Sequence, residues 1–105
     1  MRIGWLRVEL RIQGARSLKD KRRPLRSLQE RLRGRFNVSV AEVAHQDNHQ
    51  LAVIGLAVAA SSGEILAREL QRVVEFITQN PDCQVLDIRQ DSIGAGEMSS
   101  RLTLE

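Results

Sequence analysis

Ten consecutive residues, Leu51–Ala60 (LAVIGLAVAA), carry neither a charge nor a polar side chain. The run is too short to cross a bilayer, which takes about 20 residues as a helix. As a strand it is apolar on both faces, and such a strand normally lies inside a sheet that is covered on both sides. The rest of the chain has to supply its neighbours and its cover.

A neighbour stands at the start of the sequence. Ile3–Ile12 alternates strictly, with Gly4, Leu6, Val8, Leu10 and Ile12 on one face and Ile3, Trp5, Arg7, Glu9 and Arg11 on the other. Period two marks a half-buried strand, and Gln13-Gly14 ends it. The period then changes. Leu18, Leu25, Leu28, Leu32 and Phe36 recur as the stripe of an amphipathic helix, with Ser17 and Asp20 in the relation of a capping box and Gly34 at its end. Pro24 is awkward in that helix, because it removes a backbone donor and crowds the preceding turn. Either the helix kinks there, or residues 17–21 form a separate turn and the regular helix starts just before Pro24. The periodicity admits both.

Phe36–Ala44 reads as a second strand with Val38 and Val40 on one face, and His45–His49 as the turn that leads into Leu51–Ala60. Ser61-Ser62-Gly63 starts a second helix, with Leu66, Leu70, Val73 and Ile77 as its stripe and Asn80-Pro81 as its stop. Cys83–Arg89 is a fourth strand. The order βαββαβ predicts an α+β, ferredoxin-like fold: a four-stranded antiparallel sheet, first and third strands central, with two helices on one face. Residues 1–91 are expected to form this single domain. Residues 92–105 are expected to be a mobile tail or a short edge strand, with Arg101–Leu104 as the segment to pair. The uncovered sheet face would carry Trp5, Arg7 and the second apolar side of the third strand. Homo-oligomerisation through that face, with Trp5 as interface anchor, is the expected remedy.

Charge is distributed unevenly. Residues 1–35 hold twelve Lys and Arg against Glu9, Asp20 and Glu30, or +9, whereas residues 36–105 carry −6. On a helix Lys19, Arg26 and Arg33 form one row with Arg22 and Arg23 beside it, opposite the leucine stripe, and Lys21 and Arg16 at the periphery. Guanidinium groups suit phosphate oxygens because their fork meets two acceptors at once. The single cysteine, Cys83, has no partner for an internal disulfide, and Arg2, Arg7 and Arg11 interrupt any signal-like apolar stretch. Both features point to a cytoplasmic protein.

The string SLKDKRRPLRSLQERLRGRFNVSVAEVAHQD at residues 17–47, preceded by the strand Ile3-Gly-Trp-Leu-Arg-Val-Glu-Leu, resembles the YlxP-like family of small bacterial proteins of unknown function. The likeness runs to roughly Phe76. It departs from the usual pattern at Asn48-His49, where the family more often has Leu-Trp. The resemblance implies the same ferredoxin-like fold and a bacterial cytoplasmic protein often encoded beside translation-initiation and ribosome-maturation genes. It brings no catalytic residues.

Other constellations are weaker. His45, Asp47 and His49 sit in a turn without further ligands nearby, so no metal is expected. Cys83 opens a strand and reads as a small buried hydrophobe. Base stacking on the sheet, as in RNA-recognition domains of this topology, lacks aromatics beyond Trp5. No enzyme, cofactor or small-molecule substrate is implied. The expectation is a non-enzymatic accessory protein of translation or ribosome maturation. It would contact phosphates of structured RNA, or of a ribosomal particle, through Lys19, Arg22, Arg23, Arg26 and Arg33. The alternative is a homo-oligomeric interaction module whose basic helix binds an acidic protein partner, without nucleic acid.

Overall fold

Alternation along the first strand decides which side of the sheet the helices cover. The computed structural model describes residues 1–94 and contains β1 (Arg2–Ile12), α1 (Leu18–Arg35), β2 (Ser39–Ala44), β3 (Leu51–Ala60), α2 (Gly63–Thr78) and β4 (Cys83–Gly94). The strands form one antiparallel sheet in the order β2-β3-β1-β4. This is the expected ferredoxin-like α+β arrangement, with the all-apolar strand β3 central beside β1. The even residues Leu6, Val8, Leu10 and Ile12 join Ala52, Ile54, Leu56 and Val58 in a core capped by Leu25, Leu28 and Leu32 of α1 and Leu66, Leu70, Val73 and Ile77 of α2. Gly4 continues the inner row where α2 comes closest. A Cβ there would stand 3.0 Å from methyl carbons of Leu66 and Leu70, so any larger residue would push these methyls aside by a few tenths of an ångström.

Several local expectations need correction. Helix α1 is unbroken from Leu18 to Arg35 with Pro24 inside it, so residues 17–21 are its first turn and not a separate one. Ser17 Oγ accepts from Asp20 N (3.1 Å), and Asp20 Oδ2 accepts from Arg16 N (3.1 Å). These bonds satisfy amides ahead of the first helical hydrogen bonds and offset the donor lost at Pro24. Gly34 does not end the helix. It lies within the last turn, and the extended Phe36 is the C-cap, donating its N–H to Leu32 O (2.9 Å) while its ring is buried. Strand β2 consequently starts at Ser39. Leu18 leaves the core and is 41% exposed. At the other end β4 continues past Arg89 to Gly94, and residues 92–94 pair with Arg2–Gly4 at the sheet edge, the strand alternative for these three residues. The proposed pairing of Arg101–Leu104 lies outside the described residues.

The largest departure concerns Lys21. It is 3% exposed, inside the molecule and not at the edge of a basic surface. Its Nζ donates to Glu42 Oε2 (2.9 Å), His45 O (2.9 Å) and Leu51 O (3.0 Å). An ammonium has three donors, and all three are used. The bonds join α1 to β2 and to both ends of the β2–β3 connection. His45 adopts the left-handed conformation (φ 62), which is uncommon outside glycine but which histidine enters more readily than most residues, and its carbonyl is held by the same ammonium. Asn48 completes the turn, its Oδ1 accepting from Gln50 N (2.8 Å) and Leu51 N (3.0 Å).

Replacing Lys21 by Met keeps the length of the chain but takes the Nζ donor from the Glu42 carboxylate and the Leu51 carbonyl, and leaves His45 O with its bond from Asn48 N. The expected cost is about 2–4 kcal/mol. Glu42→Gln retains an acceptor for Nζ and should lose less. Equilibrium urea unfolding of the two variants checks the order, and a Lys21→Met variant as stable as the parent would contradict it.

Candidate nucleic-acid interface

The basic string Ser17-Leu-Lys-Asp-Lys-Arg-Arg splits by helical phase into parts with different work. Ser17 and Asp20 cap, Lys21 anchors, and Lys19, Arg22 and Arg23 face outward. At about 100° per residue, Lys19, Arg22, Arg23 and Arg26 all lie about 100–160° from Lys21 around the helix axis. All four are exposed, and with Asp20, Ser27 and Glu30 they line one shallow surface depression. Among the described residues the ion pairs are Lys21–Glu42, Glu69–Arg72 and Asp87–Arg89, so none of the four is spent on an intramolecular carboxylate.

Arg33 belongs to the same side but is partly committed. Its Nη2 donates to Val40 O (2.8 Å) in the edge strand β2. That bond occupies a backbone acceptor which an open sheet edge would otherwise present. Arg22, Arg26 and Arg33 also line the groove between α1 and β2, together with Leu18, Leu25 and Val40. The structure thus brings Lys19, Arg22, Arg23 and Arg26 together, places Arg33 alongside with one nitrogen engaged, and removes Lys21 altogether. Arg16 is exposed at the helix start, with its backbone N–H held by Asp20.

A second cationic group went unread in the sequence. The guanidinium carbons of Arg31 and Arg35 stand 5.3 and 5.2 Å from the Phe76 ring centroid, and that of Arg72 stands 5.8 Å from Phe36. The two rings meet edge to face at 5.7 Å. Stacking of this kind contributes about 0.5–1 kcal/mol per exposed pair and keeps the charges flat on the α1–α2 surface. The i, i+4 spacing of Arg31 and Arg35 was the available signal, but their aromatic partner on α2 is distant in sequence.

Trp5 is 42% exposed on the sheet face away from both helices. There it borders a shallow depression with Arg7, Ser39, Ala41, Val43, Gly55 and Ala57. The sheet separates it from the basic row, so the two features cannot grip one short ligand together.

Cys83 joins the core, as its position at a strand start suggested. Burial pushes its thiol up to about 11, Asp82 adds to the rise, and Arg31 opposes it. The thiol therefore stays protonated and unreactive at neutral pH. The sign of the pH effect follows. Below an unfolded value of 9.0 the thiol is neutral in both states, and between about 9 and 11 only the unfolded chain ionises. The stability linked to Cys83 is therefore whole below pH 9 and declines as pH rises toward 11. Unfolding of the parent and of Cys83→Ala, each at pH 8 and pH 10.5, should show a larger alkaline loss in the parent. Equal losses would contradict the assignment.

Comparison with known proteins adds the following. Residues 3–90 match a family model described as protein of unknown function (DUF503). The uncharacterized protein YlxP of Bacillus subtilis (strain 168) is 39% identical over 82 residues, covering 78% of this chain and 89% of that protein. Among solved structures, a putative chlorite dismutase, TA0507, superposes with TM-score 0.50 at 14% identity, over 96% of this chain and 48% of the other. The de novo designed protein Foldit4 gives TM-score 0.48 at 15% identity, over 88% and 97%. At these identities the chlorite dismutase shares the fold alone.

Proposed function

This chain belongs to the DUF503 family, and we propose that it is a non-enzymatic accessory protein of translation or ribosome maturation that holds structured RNA by its phosphates. The observation that carries the reading is the outward row Lys19, Arg22, Arg23 and Arg26, four adjacent cations on one helix face that form no ion pair with a carboxylate among the described residues. A solvated surface usually intersperses both signs, and here only Asp20 and Glu30 do so. Arg33 adds its remaining nitrogens beside the row, and Arg31 and Arg35 extend the positive surface along α1. The translational and cytoplasmic setting is the one that the family resemblance implies.

Phosphate contact, not base reading, is the mode this surface supports. The row consists of flexible cations on a convex helix, whereas base recognition in unpaired RNA needs aromatic platforms. The central strand β3 offers none, and both Phe36 and Phe76 are already occupied by each other and by arginines. Binding of this type should be tolerant of sequence and sensitive to salt.

Four phosphate contacts should give a slope of log affinity against log salt of about −3 to −3.6. The variant Arg22→Glu, Arg23→Glu, Arg26→Glu should lose RNA binding while its thermal unfolding stays close to that of the parent. In an extract run on a sucrose gradient, the parent should migrate with a ribosomal subunit and the variant should not. Undiminished RNA affinity in the folded variant would overturn the reading. So would a parent that binds an acidic polypeptide but no RNA.

A further inference from the structure

The sheet face opposite the helices carries a charge pattern that a second copy of the chain would complement. Antiparallel register sets Arg7 directly opposite Arg89, and Glu9 directly opposite Asp87. Like charges in such positions repel across the strand pair, and here two rows of opposite sign lie one above the other. Among the described residues, Asp87 and Arg89 relieve each other through an exposed contact of 3.3 Å, and Arg7 and Glu9 form no ion pair.

The rest of the face is flat and mostly apolar. Ser39 and Ala41 of β2 stand beside Gly55, Ala57 and Ala59 of β3, and Val43 lies so close over Gly55 that a Cβ there would be 3.0 Å from its Cγ1. Trp5 is the largest side chain at this end of the face, with Ile3, Ile93 and Asp91 beside it, and Leu51 and Arg11 stand at the other.

We propose that this face binds a second copy of the chain, across a two-fold axis that crosses the strands at the level of Val8. Under that operation each strand lies over itself in reverse. Arg7 of one copy then meets Glu9 of the second copy, and Arg89 meets Asp87 of the second copy. Each row finds its opposite sign twice. Trp5 lies over Arg11 of the second copy, a cation–π pairing, and the small Ala57 lies over Leu51 of the second copy. The face measures about 30 by 19 Å from strand rise and spacing, or about 1,200 Å2 buried by the pair, at the lower end of specific interfaces. The apolar half supplies affinity and the charged half fixes the register. Both basic α1 rows end on opposite outer sides of the dimer, so this assembly neither uses nor blocks the surface assigned to RNA.

The test is a charge exchange on nuclease-treated protein, read by sedimentation equilibrium at 100 mM salt. The parent should be a dimer at micromolar concentration. Arg7→Glu alone and Glu9→Arg alone each place like charges face to face twice, and each should weaken dimerisation at least tenfold. Mixing the two single variants should restore association as a heterodimer, since their rows are again opposite. The double variant Arg7→Glu, Glu9→Arg should dimerise by itself. Cooperative thermal unfolding of each variant confirms that it folds. A monomeric parent, single variants that dimerise as the parent does, or a mixture that fails to associate would each overturn the proposal. RNA binding by a monomeric parent would leave the functional reading standing while this one falls.

Discussion

The buried ammonium of Lys21 fixes the rotation of α1, and most of what is distinctive about the molecule depends on that rotation. With Nζ bonded to Glu42, His45 O and Leu51 O, the helix cannot turn about its axis without stranding a charge away from water. Such a contact contributes less as net stability than as specification, because desolvating the pair costs much of what the attraction returns. What it specifies is direction. Leu25, Leu28 and Leu32 are held toward the sheet, and Lys19, Arg22, Arg23 and Arg26 are held away from it.

The frame of the fold was open to reading from periodicity. Strict alternation in Ile3–Ile12, two helical stripes and one doubly apolar strand leave few topologies, and the chain adopts the simplest. What escaped was contingent on contacts between distant segments. The seven-residue gap between Leu18 and Leu25 falls at Lys21, and Glu42 continues the inward phase of Val38 and Val40. Each looked like an isolated exception, and only together do they make a pair. Gly34 resembled a helix stop, yet the buried ring of Phe36 carries the chain one residue further before the helix ends. The path of α1 at Pro24 was undecided because steric cost at one residue competes with capping four to seven residues earlier, and the latter prevails.

The candidate site was legible in part. Composition identified the basic helix, and phase alone separated most outward cations from the core. Phase did not show that Arg33 would reach the Val40 carbonyl, nor that Arg31 and Arg35 would lie on Phe76. Helix and sheet therefore present two unlike surfaces. One is cationic and convex; the other is flat, with alternating rows of charge beside an apolar half. The phosphate-binding role we propose would use the first surface, and the self-association we propose would use the second.

Nuclear magnetic resonance of the isotopically labelled chain, titrated with a short RNA hairpin, tests the central claim most directly. The side-chain Nε signals of Arg22, Arg23 and Arg26 should shift together and revert on adding salt, while the indole signal of Trp5 stays in place. Shifts centred on Trp5 and the open sheet face, with the arginine signals of α1 unmoved, would contradict the account.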